Sequence, residues 1–455
     1  MFANFEDFKN KMKGKIVNVV GLGVSNKPLI EILLNAGARV IGRDGNINAK
    51  VPYDIELKLG EDYLKDLKGD YTFKSPGIRP DKPEFLEFIK NGGALLSEME
   101  VFFDVCPCKI IGITGSDGKT TTTTLISELL KKQGYTVHIG GNIGSPLLPR
   151  TEAMTKDDIC VVELSSFQLM TMKKSPSVSV ITNITPNHLD YHTDYNEYIE
   201  SKEIVAKYQT ANDKIVLNFE NDKTKEIAGK YQGKVSFFSL KGNEDCEIYY
   251  KDSFIRENDE KLIDINEIKI PGMHNVDNFM AAYLAVKDLI DKETFLYVAR
   301  SFEGVAHRIE FVKEINGVRY YNDSIASSPT RTTACLNAFY SAGKRIILVA
   351  GGKDKALDFS TFGIEVAKKA KKLYLVGHLE NPSINTAEVI KESVLKADEG
   401  FPIEILYSLK ETVEKIKKDA EPGDIVVLSP ASTSFDKYKN FEERGNLFKE
   451  YVING

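Results

Sequence analysis

No tryptophan occurs in these 455 residues, and five cysteines in so long a chain are too few for a disulfide framework. No apolar run approaches the length of a membrane span, and the N-terminus, Met1-Phe-Ala-Asn-Phe-Glu-Asp-Phe8, lacks the apolar centre of a signal peptide. A basic excess is missing as well: the formal net charge is -6, which removes nucleic acid and anionic membranes from the expected partners. Low-complexity segments and internal repeats are absent. What is left is a cytoplasmic globular protein, expected to be a monomer, with 42% hydrophobic and 28% charged residues and no disorder signature. Its length implies about three domains. Any polyanionic ligand must be held by local groups. Cys106-Pro107-Cys108 invites a metal, but no second cysteine pair or nearby histidine completes a set, so these thiols are expected to be buried or incidental.

What is present begins with Lys109-Ile-Ile-Gly-Ile-Thr-Gly-Ser-Asp-Gly-Lys-Thr-Thr-Thr-Thr-Thr124. Ile110, Ile111 and Ile113 predict a buried parallel strand, Gly115 and Gly118 a tight loop, and Thr120 onward the first turn of a helix through Leu125, Ile126, Leu129 and Leu130. Such a loop cradles phosphate. Its glycines let backbone N–H groups face a polyphosphate, and the helix N-terminus adds partial positive charge. Lys119 can reach the β- and γ-phosphates, and the Thr120 hydroxyl is placed for Mg2+. The strict P-loop pattern wants glycine where Ile113 stands, so this is a variant. The bland alternative is a glycine turn capping an ordinary αβ unit.

Ahead of it, Lys15-Ile-Val-Asn-Val-Val-Gly-Leu-Gly-Val-Ser-Asn26 reads as a strand entering a glycine turn, followed by a helix that Gly37 stops and a second strand ending at Arg43-Asp44. A dinucleotide dehydrogenase is the tempting reading, but Asn26 stands where the third glycine of GxGxxG belongs and no hydride-transfer site follows. Ser75-Pro76-Gly77 ends another strand in a turn whose amides could meet an anion.

Beyond the cradle, polar residues recur at strand ends. Asp158-Ile-Cys-Val-Val-Glu163 finishes in an acid, where ligands gather in open α/β sheets. Val178-Ser-Val-Ile-Thr-Asn183 leads to Pro186-Asn187-His188, the histidine that directly follows a buried strand. A helix from Glu197 to Gln209 carries Lys202 and Lys207, which spacing alone makes solvated lysines. Short β-type runs fill residues 213 to 270, and Asn275 is expected to cap an apolar helix opening at Phe279, with Asn278 one turn along. Around residue 305 the βα rhythm restarts, with glycine-rich or polar strand exits at Gly351-Gly352 and Ser429 to Ser434.

Taken together, Gly112-Ile-Thr-Gly-Ser-Asp-Gly-Lys-Thr-Thr121, Glu163-Leu-Ser-Ser-Phe-Gln168, Asn183-Ile-Thr-Pro-Asn-His188-Leu-Asp190, Gly272-Met-His-Asn275, His307-Arg308 and Asn322-Asp323-Ser324 resemble the Mur ligase family in order and spacing, over essentially the whole chain. The ATP motifs are shared with folylpolyglutamate synthase. Leu428-Ser-Pro-Ala-Ser-Thr-Ser434-Phe-Asp-Lys-Tyr-Lys-Asn-Phe441 narrows the substrate.

The resemblance implies an α/β fold in three domains: a UDP-sugar-binding Rossmann-like domain over 1–97, a central P-loop ATPase-like domain with a mainly parallel sheet over 98–304, and a C-terminal Rossmann-like amino-acid-binding domain over 305–455. It implies an ATP-dependent ligase adding D-glutamate to UDP-N-acetylmuramoyl-L-alanine through an acyl phosphate, in cytoplasmic peptidoglycan-precursor synthesis. By the same resemblance, Gly115, Ser116, Asp117, Gly118, Lys119, Thr120 and Thr121 would take ATP phosphates, Asn275 and Asn278 the adenine, and Arg308 and Asp323 the rest of the nucleotide. Thr120, Glu163 and His188 would hold Mg2+. Lys202 matches a lysine that becomes a carbamate and serves a second Mg2+, which overturns its solvated reading. Lys119, His188 and Lys202 form the implied catalytic set. Ser25, Ser75, Pro76, Gly77 and Asn142 would hold the UDP-sugar, and Ser327, Lys355, Ser434, Phe435 and Phe441 the D-glutamate. Many relatives carry lysine where Ile325 stands, and Arg331 is the cation expected to replace it.

Overall fold

The computed structural model describes residues 2–454 except 24, 25, 190, 340–342, 344, 355 and 356. Ser25 and Lys355 therefore lie outside the described residues. Two compact units emerge: Met1–Glu267 with His274–Arg300, and Ile268–Met273 with Ser301–Gly455. The α/β reading is borne out by mostly parallel sheets. Among the described residues no helix is long and apolar enough to cross a membrane.

The first unit carries two sheets. Strands β1 (Ile16–Val20), β2 (Arg39–Asp44), β3 (Glu56–Leu59), β4 (Tyr71–Lys74) and β5 (Ala94–Leu96) lie in the order β3-β2-β1-β4-β5, all parallel. The larger sheet comprises β6 (Lys109–Thr114), β7 (Val137–Gly141), β8 (Ile159–Glu163), β9 (Val178–Ile181), β10 (Lys214–Asn218), β11 (Lys234–Ser239), β12 (Ile248–Lys251), β13 (Phe254–Glu257) and β14 (Glu260–Asp264). Its order is β14-β13-β12-β11-β10-β9-β6-β8-β7, and only the β12-β13-β14 edge is antiparallel. The strands of its centre are buried along nearly their whole length and mostly apolar, as expected of parallel strands covered on both faces. One continuous core joins the two sheets, from Phe8, Val19 and Phe73 through Phe102 to Leu147 and Val162.

A second bond between the sheets is ionic. The Arg79 guanidinium, beyond β4, meets the Glu197 carboxylate in two bonds of 2.9 Å and also donates to the Tyr191 carbonyl at 2.7 Å. Glu197 belongs to the helix Tyr195–Lys207, which starts earlier than its sequence pattern suggests because the Asp194 side chain accepts the Glu197 N–H.

The second unit is built on β15 (Glu310–Ile315), β16 (Val318–Asn322), β17 (Ile346–Ala350), β18 (Ala370–Val376), β19 (Ile403–Leu406) and β20 (Ile425–Leu428), in the order β15-β16-β20-β17-β18-β19 with only β15 antiparallel. Its strands feed two cores by simple alternation. Ile346, Leu348 and Ala350 pack on one face, Ile347 and Val349 on the other.

Two expectations need correction. Asn275 does not stand at the N-cap position: the helix runs Met273–Val286, starting just after Gly272 at φ 101, so Asn275 sits inside its first turn. Cys106 and Cys108 are joined by Cys160 of the neighbouring strand, a partner that sequence separation hid.

Arg79 holds the Glu197 carboxyl down at about 2. A depressed carboxylate stabilises the fold above its unfolded value of about 4.3 and loses that contribution as pH falls toward 2. Glu197→Gln should therefore cost about 1 kcal/mol at pH 7. The gap from wild type should narrow in denaturant titrations repeated below the unfolded value of about 4.3 and close as pH falls through about 2.

Candidate functional site

The loop after β6 is shaped by glycines that nothing else could replace. Gly115 has φ 144 and Gly118 φ 79. A Cβ on Gly115 would collide with the Thr182 hydroxyl, and one on Gly118 with the Asn278 carboxamide. Ile113 is a fully buried strand residue, so the loop is shorter than the strict pattern. Around it the neighbouring strand exit supplies partners: Ser116 N–H donates to the Asn183 carbonyl at 2.9 Å, and Asp117 N–H to the Asn183 side-chain oxygen at 3.0 Å. The helix Lys119–Gln133 follows at once, with Thr120 and Thr121 in its first turn. Its N-terminus faces the loop, an arrangement suited to an anion.

Two lysines meet here. Lys119 Nζ donates to the carbonyls of Gly115 at 2.9 Å and Ser116 at 2.7 Å. Lys202 Nζ donates to the same Gly115 oxygen at 2.7 Å and lies 4.6 Å above the Tyr198 ring. Lys202 is only 2% exposed, which overturns its solvated reading from spacing, whereas Lys207 on the same helix is exposed. Burial, then repulsion by Lys119, pushes the Lys202 ammonium well below the usual lysine range.

Beside them, Glu163 at the end of β8 accepts from the Thr120 hydroxyl at 2.7 Å and from the Asn142 side chain at 2.8 Å. Asn142, just past β7, also donates its N–H to the Glu163 carbonyl at 2.8 Å. A threonine hydroxyl and a carboxylate are hard oxygen donors, and this set fits Mg2+. His188 is exposed, at φ 54, with its ring 5.0 Å edge-on from Phe167 and 6.4 Å from Tyr198. The histidine buried nearby is His192, bonded to Glu197 and to the Ser166 hydroxyl at 2.9 Å. On the helix Met273–Val286, Asn278 donates to the Asn275 oxygen and accepts from Thr122, both at 3.2 Å.

In the smaller sheet the first glycine turn and the Ser75 turn come together. A Cβ on Gly21, at φ 85, would strike the Ser75 side chain. Asn26 fills the third-glycine position by donating to the Val20 and Gly21 carbonyls at 3.2 and 2.8 Å. Pro76 lends its carbonyl to the Tyr191 hydroxyl at 2.9 Å, while Gly77 opens on a cavity of about 480 Å³ lined by Tyr63, Arg79, Asp81 and Tyr191. Below this turn Lys74 is buried with no hydrogen-bond partner for Nζ among the described residues, and burial brings it down to about 8.

The second unit holds a buried polar cluster of its own. Asp323, at the exit of β16, accepts from the Ser429 hydroxyl at 2.7 Å and the Ile309 N–H at 3.2 Å. Arg444 donates to the Ser324 hydroxyl at 3.0 Å, the Ser324 carbonyl at 2.9 Å and the Ser432 carbonyl at 3.1 Å. Phe441 gives its carbonyl to Ser324 and sets its ring edge-on to His307. Ser434 is buried, Ser327 half-buried and Phe435 exposed. Arg331 is exposed with its guanidinium 3.4 Å from the Ile325 carbonyl.

Residues 113–286 match the Mur ligase middle domain and residues 307–432 the Mur ligase glutamate ligase domain. The chain is 47% identical, over 99% of both sequences, to a protein of Acetivibrio thermocellus named UDP-N-acetylmuramoylalanine--D-glutamate ligase. The chain belongs to the Mur ligase family. A protein of the same name from Clostridium kluyveri is 49% identical, again over 99% of both. Mur ligases of known structure share the fold at low identity. The UDP-N-acetylmuramate-alanine ligase MurC of Thermotoga maritima superposes with a TM-score of 0.60 at 16% identity, covering 96% of this chain and 98% of that one. MurF ligase of Thermotoga maritima, in complex with ADP, gives 0.57 at 17%, covering 97% and 95%.

Sequence reasoning missed Tyr198, Arg79 and Tyr191, and it read Asn183 and Arg444 only as parts of longer motifs, with no role of their own. Tyr198 alone left a signal, since it stands one helical turn before Lys202. The others act across elements whose adjacency no local pattern encodes.

Burial lifts the Asp323 carboxyl to about 6. A raised acid is protonated in the fold and ionised when unfolded, so stability should fall as pH rises from about 4 to about 6. In Asp323→Asn that decline should flatten by on the order of 2 kcal/mol, read from urea midpoints across the same range.

Proposed function

We propose that this chain is an ATP-dependent ligase that joins D-glutamate to the alanyl carboxylate of UDP-N-acetylmuramoyl-L-alanine, for cytoplasmic peptidoglycan-precursor synthesis. The observation that carries the reading is the convergence of Lys119 and Lys202 on the Gly115 carbonyl beside the Thr120–Glu163 pair. Family membership, and full-length relatives at 47% and 49% identity that bear the corresponding name, support it.

The chemistry explains the parts. A carboxylate repels nucleophiles and has no leaving group, so ATP must first convert it to an acyl phosphate, and two anions must be brought together. Lys119 would leave the loop carbonyls to take the β- and γ-phosphate oxygens, and the loop N–H groups would hold the rest. Thr120 and Glu163 would hold Mg2+, which supplies positive charge to the transferring phosphoryl group. Lys202 is suited to carbamate formation because burial and Lys119 disfavour its ammonium form, which makes the amine lone pair more available to CO2; the product, formed with loss of a proton, has the anionic oxygens a second Mg2+ needs. His188 would add a further ligand. Asn275 and Asn278 would take the adenine, and Arg308 and Asp323 the rest of the nucleotide. Ser75, Pro76, Gly77 and Asn142 would hold the UDP-sugar; Ser327, Ser434, Phe435 and Phe441 would present D-glutamate, whose amine attacks the acyl phosphate and expels phosphate.

Phosphate release with ATP, Mg2+ and UDP-N-acetylmuramoyl-L-alanine is expected with D-glutamate and not with L-glutamate, glycine or L-lysine. Release with another amino acid, or with none, would overturn the substrate assignment and leave the ATP site. Independently, 13C-bicarbonate should give a carbamate resonance that Lys202→Ala lacks, and that variant should turn over roughly 100-fold or more slowly. A resonance that survives the substitution would remove Lys202 from this role.

A further inference from the structure

The ligase reading makes no use of the opposite end of the larger sheet, where its central parallel strands begin. Cys106 ends the helix Glu98–Val105 with its N–H donating to the Phe102 carbonyl. Pro107 separates it from Cys108, which immediately precedes β6. Cys160 is the second residue of β8 and pairs in register with Ile110 of β6. Since side chains alternate along a strand, Cys108 and Ile110 share a face, and Cys160 projects beside them.

Three sulfurs result, at 3.5 Å (Cys106–Cys108), 3.3 Å (Cys108–Cys160) and 3.7 Å (Cys106–Cys160). The triangle is nearly equilateral. An ion about 1 Å above its centre would lie about 2.3 Å from each sulfur, the ordinary zinc–thiolate length. The Met154 thioether is 3.7 Å from the Cys160 sulfur and supplies a further soft atom. All three cysteines are free thiols; Cys160 and Cys108 are buried, and half-buried Cys106 gives an approach from solvent. Sulfur donors exclude Mg2+, which wants oxygen, and favour soft or borderline ions.

We propose that Cys106, Cys108 and Cys160 bind one thiophilic d10 cation, at a site separate from the ATP and Mg2+ groups. Zn2+ is the expected occupant. Its double charge offsets more of three buried thiolates than Cu+ does, leaving one net negative charge instead of two. The ion would pin the start of β6 to the start of β8, the two strands that end in the phosphate loop and in Glu163.

The test uses the full-length reduced protein, stripped by chelator and then given Zn2+ or, anaerobically, Cu+. Native mass spectrometry should show one ion per chain, and thermal melting should shift upward. Cys106→Ser, at the half-buried position, should fold as wild type does without metal yet bind roughly 100-fold or more weakly. Cys246→Ser should bind as wild type does. Binding of Cu+ in place of Zn2+ would support the site and correct its occupant. Binding of neither ion, binding undiminished in Cys106→Ser and Cys108→Ser, or oxidation to a disulfide with no ion held would each overturn it. None of these readouts needs substrate, so failure here is distinguishable from failure of the ligase assignment.

Discussion

A single carbonyl oxygen, that of Gly115, receives two lysine ammonium groups. Like charges so close repel, and burial makes the repulsion stronger because little water screens it. The cost falls on Lys202, whose affinity for the proton is lowered by burial first and by the repulsion of Lys119 second. The loop can place its carbonyl there because Gly115 and Gly118 adopt left-handed conformations in contact with Thr182 and Asn278. Much of the first unit serves that geometry. The strand exits of β7, β8 and β9 each contribute a polar residue to it: Asn142, Glu163 and Asn183.

The same logic of buried polar groups governs the second unit without lysines. Asp323 sits among hydroxyl and N–H donors but remains reluctant to ionise, because its desolvation outweighs those bonds. Arg444 makes three hydrogen bonds to Ser324 and Ser432, with Nη1 buried and unpartnered among the described residues. Burial lowers its basicity to about 10, well inside the range where it stays charged. Both networks fix backbone at strand exits.

The elements themselves were largely readable. Apolar runs such as Ile110 to Ile113 and Ile346 to Val349 specify buried strands by composition alone, and Gly-Lys-Thr before a helical pattern specifies the cradle. Boundaries slipped where a side chain decided them. Asp194 draws its helix start back from Glu197, and Gly272 releases a helix early enough to enclose Asn275. The lysine at 202 was invisible to spacing, because its helix has solvent on one side and β6 and β9 on the other, and only packing says which face turns inward.

By itself, then, the sequence determined the βα alternation, the glycine loop and the order of motifs that marks the family, since each is a local pattern a few residues long. Tertiary structure alone decided which distant groups share an environment. Strand order β6-β8 brings Glu163 to Thr120 and Cys160 to Cys108; a turn beyond β4 brings Arg79 to Glu197. Charge, proton affinity and metal preference depend on those neighbours and on the water they exclude, and neither is written in any one stretch of chain.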